Sequence, residues 1–186
     1  MALTKAAIVD AGLQILDTYG LGDLSMRRVA DSLGVQAGAL YYHVPNKQSL
    51  LAAIADDIVA TALQASDHSD LDEFLRGWAR RLRAALLAHR DAAELVASAH
   101  AFGLGSIDPT GDGREILATA GSPHPAATMS AFLHFIVGHV MEEQTRAQMA
   151  QLGLIDGFDA DAAAADFEWG LSVLIAGVHA MQPPPA

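Results

Sequence analysis

The residues whose types and spacing suggest a chemical task lie between Leu24 and Lys47. They read LSMRRVADSLGVQAGALYYHVPNK, which predicts two short helices joined by a turn at Gly34. Ser25 suits an N-cap because its hydroxyl can accept a hydrogen bond from an amide of the first turn. Gly34 suits the left-handed residue that ends a helix. This layout is typical of a helix-turn-helix, whose second helix enters the DNA major groove, so the predicted task is DNA recognition.

The elements that must position this motif are helices. Apolar residues recur at helical spacing and no run alternates as a strand would, so the predicted fold class is all-α. In the N-terminal part we expect helices over about residues 3–19, one on each side of Gly34 with the second over 36–42, and one over 46–65. In the rest of the chain we expect helices over about 71–89, a shorter one that ends near 102, and one over 114–120. A long helix should run from Pro123 or Pro125 to 152, and a last one should cover 162–181. Gly103–Gly113 is predicted to be a loop, and the proline-rich end after Met181 to be disordered.

Composition restricts the compartment in which the protein is expected. The chain has no cysteine, which excludes disulfides and thiolate metal sites. Its start, MALTKAAIVDAG, lacks a basic segment followed by a long apolar run, so no signal peptide is predicted. No uncharged apolar stretch is long enough to span a bilayer. The expected location is the cytoplasm.

Charge is unevenly distributed along the chain. The formal net charge of -11, taken as an average, argues against a nucleic-acid-binding protein. Residues 1–50, however, carry equal numbers of basic and acidic side chains, so the whole deficit lies in residues 51–186. A neutral N-terminal part with clustered arginines and helix N-termini can dock on DNA while the acidic remainder is repelled. We expect few phosphate contacts and a shallow dependence of DNA affinity on salt.

The N-terminal third resembles the DNA-binding domain of the TetR family of bacterial repressors. Three segments carry this resemblance, and two further segments are similar to the tetracycline-repressor subgroup. They are AAIVDAGLQILDTYG from Ala6, LSMRRVADSLGV from Leu24, ALYYHVPNKQSLL from Ala39, HFIVGHVMEEQ from His134 and FEWGLSVLIAGVHAM from Phe167. The resemblance implies a ligand-responsive transcriptional repressor. Its helix-turn-helix domain would cover residues 1–47, a connecting helix 46–65, and a ligand-binding and dimerisation domain 66–186.

The resemblance also implies which residues contact DNA. By position they are Ser25, Met26, Arg27, Gln36, Ala37, Gly38, Ala39, Tyr41, Tyr42, His43 and Lys47. Arg27 and Gln36 can distinguish guanine or adenine through paired hydrogen bonds, whereas the hydroxyl, imidazole and ammonium groups suit phosphates. Gln36 stands where a serine or threonine commonly caps the recognition helix, and Gly38 weakens that helix. Arg28 is expected to be solvated or salt-bridged instead, and Tyr41 is equally compatible with partial burial.

The last two helices are the predicted dimer interface. One helix-turn-helix reads only a few base pairs, so a homodimer is expected on a palindromic operator of double-stranded DNA. The last helix is apolar on two faces, which requires two packing partners. One face carries Phe167, Leu171, Leu174, Val178 and Met181, and the other carries Trp169, Val173 and Ala176. The resemblance implies a four-helix bundle across the dimer axis; the alternative is that one chain buries both faces.

The resemblance further implies a small-molecule effector that changes the separation of the recognition helices, with the fourth helix as the lever. The candidate effector-binding residues are Trp78, Leu82, Leu86, His100, Phe102, Phe135 and His139. Core packing is an equally good explanation for each of them. The histidine that binds tetracycline-bound magnesium in the resembling repressors falls here on Val96 or Ala97. We therefore expect a different and more apolar effector, with no metal and no cofactor.

Two other functions agree with parts of the sequence. A metal-dependent hydrolase could use His139 with Glu142 or Glu143 on the long helix. A nucleophile–base pair, a glycine-rich phosphate loop and a complete set of metal ligands are missing from the pattern. An architectural DNA-binding protein would not need so large an acidic domain. The sequence therefore predicts a transcription regulator that is not an enzyme.

Overall fold

The computed structural model describes residues 2–63 and 70–181. All regular structure within these residues is helical, which confirms the predicted all-α class. In chain order the elements are α1 (Lys5–Tyr19), a 3₁₀ turn (Leu21–Asp23), α2 (Met26–Ser32), α3 (Ala37–Leu40), α4 (Lys47–Ala62), α5 (Leu71–Leu87), α6 (Ala92–Ala101), α7 (Gly111–Thr119), α8 (Pro125–Gln151) and α9 (Ala160–Met181). The predicted domain boundary near residue 65 and the predicted disordered tail after Met181 lie outside the described residues.

Side-chain caps begin helices where the sequence predicts them. The Ser25 hydroxyl accepts a hydrogen bond from the Arg28 amide at 3.2 Å, and the Asn46 side chain accepts one from the Ser49 amide at 2.8 Å. Each cap satisfies an amide that the first helical turn leaves without an intrahelical partner. Gly34 follows the first helix of the motif with a φ of +67°, in the left-handed region that glycine adopts without steric cost.

The second helix of the motif is shorter than the sequence predicts. Helix α3 is a single turn that ends at Leu40, whereas the expected helix reached Tyr42. Its N-cap residue, Gln36, makes no side-chain cap hydrogen bond. Gly38 lies in its middle and disfavours the helical conformation relative to alanine. Both features weaken a short helix, so the residues after Leu40 form a turn instead.

Helix α7 begins at Gly111, within the segment that was predicted to be a loop. Gly113 in its first turn is buried, and a Cβ at this position would collide with the side chain of Met129 on α8. Glycine therefore allows α7 and α8 to approach closely. Gly113, one of the glycines that indicated a loop in the sequence, thus serves helix packing in the structure.

The described chain divides into two compact units. The first unit contains the residues up to Thr61 together with Ala85–Ile107. The second contains Ala62–Ala84 and the residues from Asp108 onward. The predicted division assigned everything after residue 65 to one domain. Helix α6 and the end of α5 pack in the compact unit that carries the helix-turn-helix, and the predicted division at residue 65 stays a prediction.

Each unit has its own apolar core. The largest fully buried side chains of the first unit include those of Ile8, Leu16, Leu24, Leu40, Leu50, Ile54, Ile58 and Leu86. Those of the second unit include Leu75, Leu82, Phe132 and Phe167. A Cβ at Gly12 would lie 2.6 Å from Cδ1 of Ile54, so α1 and α4 pack in close contact there. Among the described helices, none is long and apolar enough to cross a membrane.

Candidate nucleic-acid interface

The helix-turn-helix has a buried side and an exposed side. Val29 and Ala30 of α2 and Leu40 of α3 are buried, as is Val44 in the turn that follows. Burial of these apolar side chains packs α2 and α3 together within the first unit. The remaining faces of both helices carry the groups that could contact DNA.

Most of the predicted DNA contacts are accessible. Tyr42 is 91% exposed and Tyr41 is 51% exposed, so neither is a core aromatic residue. Gln36, Gly38 and His43 are also exposed, and Ser25, Ala37, Ala39 and Lys47 are partly exposed. The accessible surface therefore combines an amide, hydroxyl groups, an imidazole and an ammonium group with a stretch of small residues. Small residues allow the backbone to approach base edges, while the polar groups can bind phosphates or bases.

Met26 is the exception among the predicted contacts. Its side chain is only 8% exposed, because this first residue of α2 faces the interior of the first unit. A buried thioether cannot reach a base or a phosphate. Met26 is therefore corrected from a DNA contact to a core residue. Position in the motif suggested the contact, whereas burial depends on how α2 is rotated on its neighbours.

The two adjacent arginines of α2 have different surroundings. The Arg27 side chain is 90% exposed, and its Nε lies 3.9 Å from the Asp31 carboxylate, a loose pair in solvent. The Arg28 guanidinium lies 2.8 Å from the Asp23 carboxylate and 4.6 Å from the centroid of the Tyr19 ring. The expectation that Arg28 is salt-bridged is confirmed. Arg27 keeps its guanidinium accessible for a base or a phosphate.

Gln36 also keeps its functional group accessible. Its backbone carbonyl accepts from the Ala39 amide at 2.9 Å, but its side chain is not used as a helix cap. A serine or threonine at this position would normally engage its hydroxyl with the helix N-terminus. The Gln36 amide, with one donor and one acceptor side, matches the paired donor and acceptor of adenine in the major groove.

The candidate effector-binding residues do not form one group. Leu86, His100 and Phe102 belong to the first unit, whereas Trp78, Leu82, Phe135 and His139 belong to the second. Phe102 is 76% exposed and His100 is also exposed, so both are corrected from cavity-lining to surface residues in this chain. Leu86 is fully buried in a core. Residue type alone suggested these positions, and it does not report which side of a helix faces inward.

Aromatic rings and charges meet at one place in the second unit. The rings of Phe135 and His139 lie with their centroids 5.4 Å from that of Phe167. Arg83 forms two hydrogen bonds, of 2.9 and 2.7 Å, with the carboxylate of Glu143 and lies 5.0 Å from the Phe167 ring centroid. His139 Nε2 lies 3.3 Å from the same carboxylate. The sequence did not reveal this cluster, because Arg83 is 60 residues from its partner.

The histidine and glutamates of α8 do not form the metal site of a hydrolase. Glu143 is 5% exposed and is held by Arg83, while Glu142 pairs with Arg146 at 3.6 Å on the surface. Within residues 2–63 and 70–181, no group of three or more histidine, aspartate or glutamate side chains could hold a metal ion. The pair of His139 and Glu143 is therefore explained by its bonds to Arg83 and to the Ala163 carbonyl.

Two carboxyl groups of the second unit have lowered pKa values. A hydrogen bond from Arg80 lowers the pKa of Glu168 and outweighs burial, which raises it. At Asp108 burial acts to raise the pKa, but hydrogen bonds from Thr110 and Arg114 bring it below its usual value. Both groups are fixed in their ionised form, whereas a general acid at neutral pH needs a raised pKa.

Helix α9 has one buried and one exposed apolar face. Phe167, Leu171, Ile175 and Val178 are buried, so Ile175 replaces the predicted Leu174 in the buried stripe. The predicted stripe also included Met181, which is 76% exposed. On the other face Trp169 is 75% exposed and Val173 is 55% exposed. The alternative that a single chain buries both faces is therefore wrong.

These features together define a class of protein. An all-helical chain that presents Arg27, Gln36 and Tyr42 on an accessible helix-turn-helix is a DNA-binding protein of the regulator type. An apolar face on α9 accompanies it, as expected for a regulator that associates with a second copy.

Comparisons with known proteins identify the family. Residues 8–54 match the family model of bacterial regulatory proteins of the tetR family, and residues 65–156 match that of the tetracyclin repressor-like C-terminal domain. The chain is 33% identical over 198 residues to the tetracycline repressor protein class A from transposon 1721 of Escherichia coli, covering 95% of this chain and 90% of that protein. It is also similar to the crystal structure of Mycobacterium smegmatis BioQ, with a TM-score of 0.83, 34% identity, and 96% and 99% of the two chains covered. A structure of BioQ with its double-stranded DNA operator gives a TM-score of 0.78 at 34% identity, covering 95% of this chain and 98% of that one.

The chain belongs to the TetR family of bacterial regulatory proteins. It is a ligand-responsive DNA-binding transcriptional repressor and not an enzyme. As a member of this family it binds operator DNA as a homodimer and responds to an effector. The resemblance seen in the sequence is thereby confirmed, and no observation supports the hydrolase.

Proposed function

We propose that the repressor reads a palindromic operator with two copies of the surface formed by Ser25, Arg27, residues 36–39, Tyr41, Tyr42, His43 and Lys47. The accessibility of Tyr42 and of the Arg27 guanidinium carries this proposal. Arg27 and Gln36 would select bases, because their side chains can form paired hydrogen bonds with guanine or adenine. The remaining polar groups would position the motif on phosphates. Met26 is left out because it is buried.

Selection of bound duplexes from a random DNA pool tests this proposal. The expected result is an inverted repeat, because a two-fold symmetric dimer presents two equivalent motifs. Single half-sites would contradict it. Tyr42→Ala should weaken binding to all selected duplexes by about tenfold or more, since a hydrogen bond to a charged phosphate is lost. Tyr42→Phe is the matched control that removes only the hydroxyl.

A second variant, Gln36→Ala, tests whether the motif selects bases. Gln36→Ala should remove about 1–3 kcal/mol of discrimination at one base pair of each half-site, because the alanine methyl cannot form paired hydrogen bonds. Affinities for a set of duplexes that differ at single positions measure this change. A uniform loss of affinity at every position would show that Gln36 binds the backbone rather than a base.

The dimer interface is proposed to include the exposed face of α9. Trp169 and Val173 present a large apolar surface, and aromatic residues in such positions often dominate interface energies. Apart from its chain neighbours and the backbone of its own helix, no atom of the described chain lies within 4 Å of a Cβ built at Gly138 or Gly177, so packing within one chain does not require glycine there. Close approach of a partner helix would require it.

Trp169→Ala is the corresponding test. It should weaken dimerisation roughly 30-fold, as expected for loss of an interface residue that contributes about 2 kcal/mol. Phe102→Ala, an equally exposed aromatic residue in the first unit, is the control and should leave the dimer constant unchanged. Sedimentation over a range of protein concentrations measures both, and equal behaviour of the two variants would contradict the proposed interface.

The effector is proposed to bind in the second unit, at Trp78, Leu82, Phe135 and His139. The indole N–H of Trp78 already donates to the Pro109 carbonyl at 2.8 Å, so its ring can offer an effector only an apolar surface. We therefore propose an effector that is largely apolar. We also propose that the protein lies in the cytoplasm. Thermal unfolding with a panel of polycyclic aromatic compounds should reveal stabilising ligands. Tetracycline with magnesium is expected to give no stabilisation, and Phe135→Ala should abolish the response to an active compound.

A further inference from the structure

The turn between α5 and α6 is fastened to the C-terminal end of α1 within the first unit. The Asp17 carboxylate lies 3.0 Å from Nδ1 of His89 and accepts a hydrogen bond from the Arg90 amide at 3.2 Å. In the opposite direction, the Leu21 amide donates to the carboxylate of Asp91 at 2.8 Å. Two carboxylates, one from each segment, thus bind the backbone of the other segment.

Asp91 has an unusual conformation for this contact. Among the described residues it is the only one other than glycine with a positive φ, which is 55°. It occupies the N-cap position of α6, yet its side chain does not cap that helix. Aspartate at an N-cap normally accepts a hydrogen bond from its own helix. Here its carboxylate binds Leu21, 70 residues away, and a backbone outlier of this kind can indicate function.

Gly20 makes the close approach possible from the α1 side. Its φ is +86°, and a Cβ at this position would lie 2.7 Å from Oδ2 of Asp91 and 3.1 Å from Nε of Arg90. Any larger residue would crowd the Asp91 carboxylate and the Arg90 side chain, and its backbone would be strained at this φ. Both partners of this contact are therefore specialised, one by a left-handed aspartate and the other by a glycine.

The same short segment also holds α2, the first helix of the motif. Arg28 of α2 pairs with Asp23 at 2.8 Å, and its guanidinium lies 4.6 Å from the Tyr19 ring centroid. Arg28 directly follows Arg27, which carries the proposed base contact. Residues 17–23, which we name the α1 hub, thus contact the α5–α6 turn at Asp17 and Leu21 and contact α2 at Tyr19 and Asp23.

We propose that the α1 hub couples the α5–α6 turn to α2, the first helix of the motif, so that displacement of the turn changes how Arg27 is presented to DNA. Asp91 and Arg28 are the positioning residues of this connection. The hydrogen bonds and the ion pair that carry it join the end of α1, the α5–α6 turn and α2. The inference rests on the proposed DNA-binding surface, since it concerns the presentation of Arg27.

A double-mutant cycle tests the coupling in the intact repressor. Asp91→Gly keeps the left-handed backbone but removes the carboxylate, and Arg28→Ala removes the contacts with Asp23 and Tyr19. Each variant should weaken binding to the selected duplex, and the double variant should deviate from additivity by at least about threefold in Kd, as expected for coupled residues. Asp91→Gly combined with Lys47→Ala is the control pair, which should be additive. Additivity of the Asp91–Arg28 pair would overturn the proposal.

Hydrogen exchange supplies a second measurement on the unaltered protein. Addition of the selected duplex should slow amide exchange at Leu21 and Arg90, which lie outside the proposed DNA contacts. The response at Leu21 should disappear in Asp91→Gly and persist in Asp91→Asn, which retains an oxygen acceptor and tolerates the left-handed region. Protection around Tyr42 without any change at Leu21 or Arg90 would overturn the hub. Failure of any duplex to bind the wild-type protein would instead refute the proposed DNA-binding surface, and the hub with it.

Discussion

The two units of the molecule use their polar side chains differently. In the first unit, carboxylates bind backbone amides of distant segments, as Asp17 binds Arg90 and Asp91 binds Leu21. In the second unit, long helices are joined by pairs of side chains. These pairs are Arg80–Glu168, Arg83–Glu143 and His179–Asp72. In the first unit these hydrogen bonds therefore hold the backbone in place, whereas in the second unit the side-chain pairs hold one helix against another.

The difference follows from the lengths of the elements. Short helices and turns leave many amides without intrahelical partners, and side-chain acceptors can satisfy them. Helices α8 and α9 satisfy nearly all of their amides internally, so their side chains make the contacts with neighbours. A unit that must present Arg27 and Gln36 at fixed positions benefits from a backbone held in this way.

Among these tests, the largest loss of stability is expected when the buried Arg83–Glu143 pair is broken. Glu143→Ala leaves the Arg83 guanidinium, whose side chain is 18% exposed, without its carboxylate. An uncompensated buried charge costs about 3–5 kcal/mol, and the free energy of unfolding should fall by this amount. Urea unfolding at one fixed protein concentration measures the change, since dimers gain stability with concentration.

Glu142→Ala is the matched control for this prediction. Glu142 is the preceding residue on α8, and its side chain is 69% exposed beside Arg146. The loss of a surface pair should change the free energy of unfolding by at most about 1 kcal/mol. Equal destabilisation by the two substitutions would show that the buried pair does not organise the second unit.

An intermediate effect is expected from Asp56 in the first unit. Its carboxylate accepts hydrogen bonds from the amides of Ser106 and Ile107 at 2.9 and 3.1 Å and from the Ser106 hydroxyl at 2.6 Å. Asp56→Ala removes these hydrogen bonds, and because water can reach the exposed Ser106, the loss should be about 0.5–1.5 kcal/mol. Amide exchange of Ser106 and Ile107 should accelerate as well. Asp57→Ala, at an exposed neighbouring position, should change neither quantity, and a similar loss in both variants would contradict the backbone-fixing role.

The smallest effect is expected at the Arg80–Glu168 pair, which is half exposed. Glu168→Gln should lower the free energy of unfolding by only about 0.2–1 kcal/mol at neutral pH. The pKa of Glu168 is lowered in the folded chain, so the unfolded chain binds the proton more readily. The stabilisation is complete above the ordinary pKa of a glutamate and is lost as the pH falls through the lowered value. Urea unfolding of both proteins should therefore converge in acid; a difference that grows in acid would contradict this origin.

Much of the helix-turn-helix could be predicted from the sequence because its determinants are local. The caps at Ser25 and Asn46 and the left-handed Gly34 act within a few residues, and the structure has each of them. The order and type of the helices were also predictable, because apolar spacing reports a helix directly. The ordered motif and its neighbours sufficed to indicate the family, which the comparisons confirm.

Only the tertiary structure decided which faces of these helices are buried. Met26 turned inward, Phe102 remained exposed, and Glu143 found its partner 60 residues away. The placement of Ala85–Ile107 in the first unit likewise depends on contacts such as that of Asp91 with Leu21. Helical periodicity indicates that a helix has an apolar stripe. The rotation of the helix and its packing partner are set by tertiary packing and by long-range hydrogen bonds. Those interactions join residues whose separation in the chain leaves no local pattern.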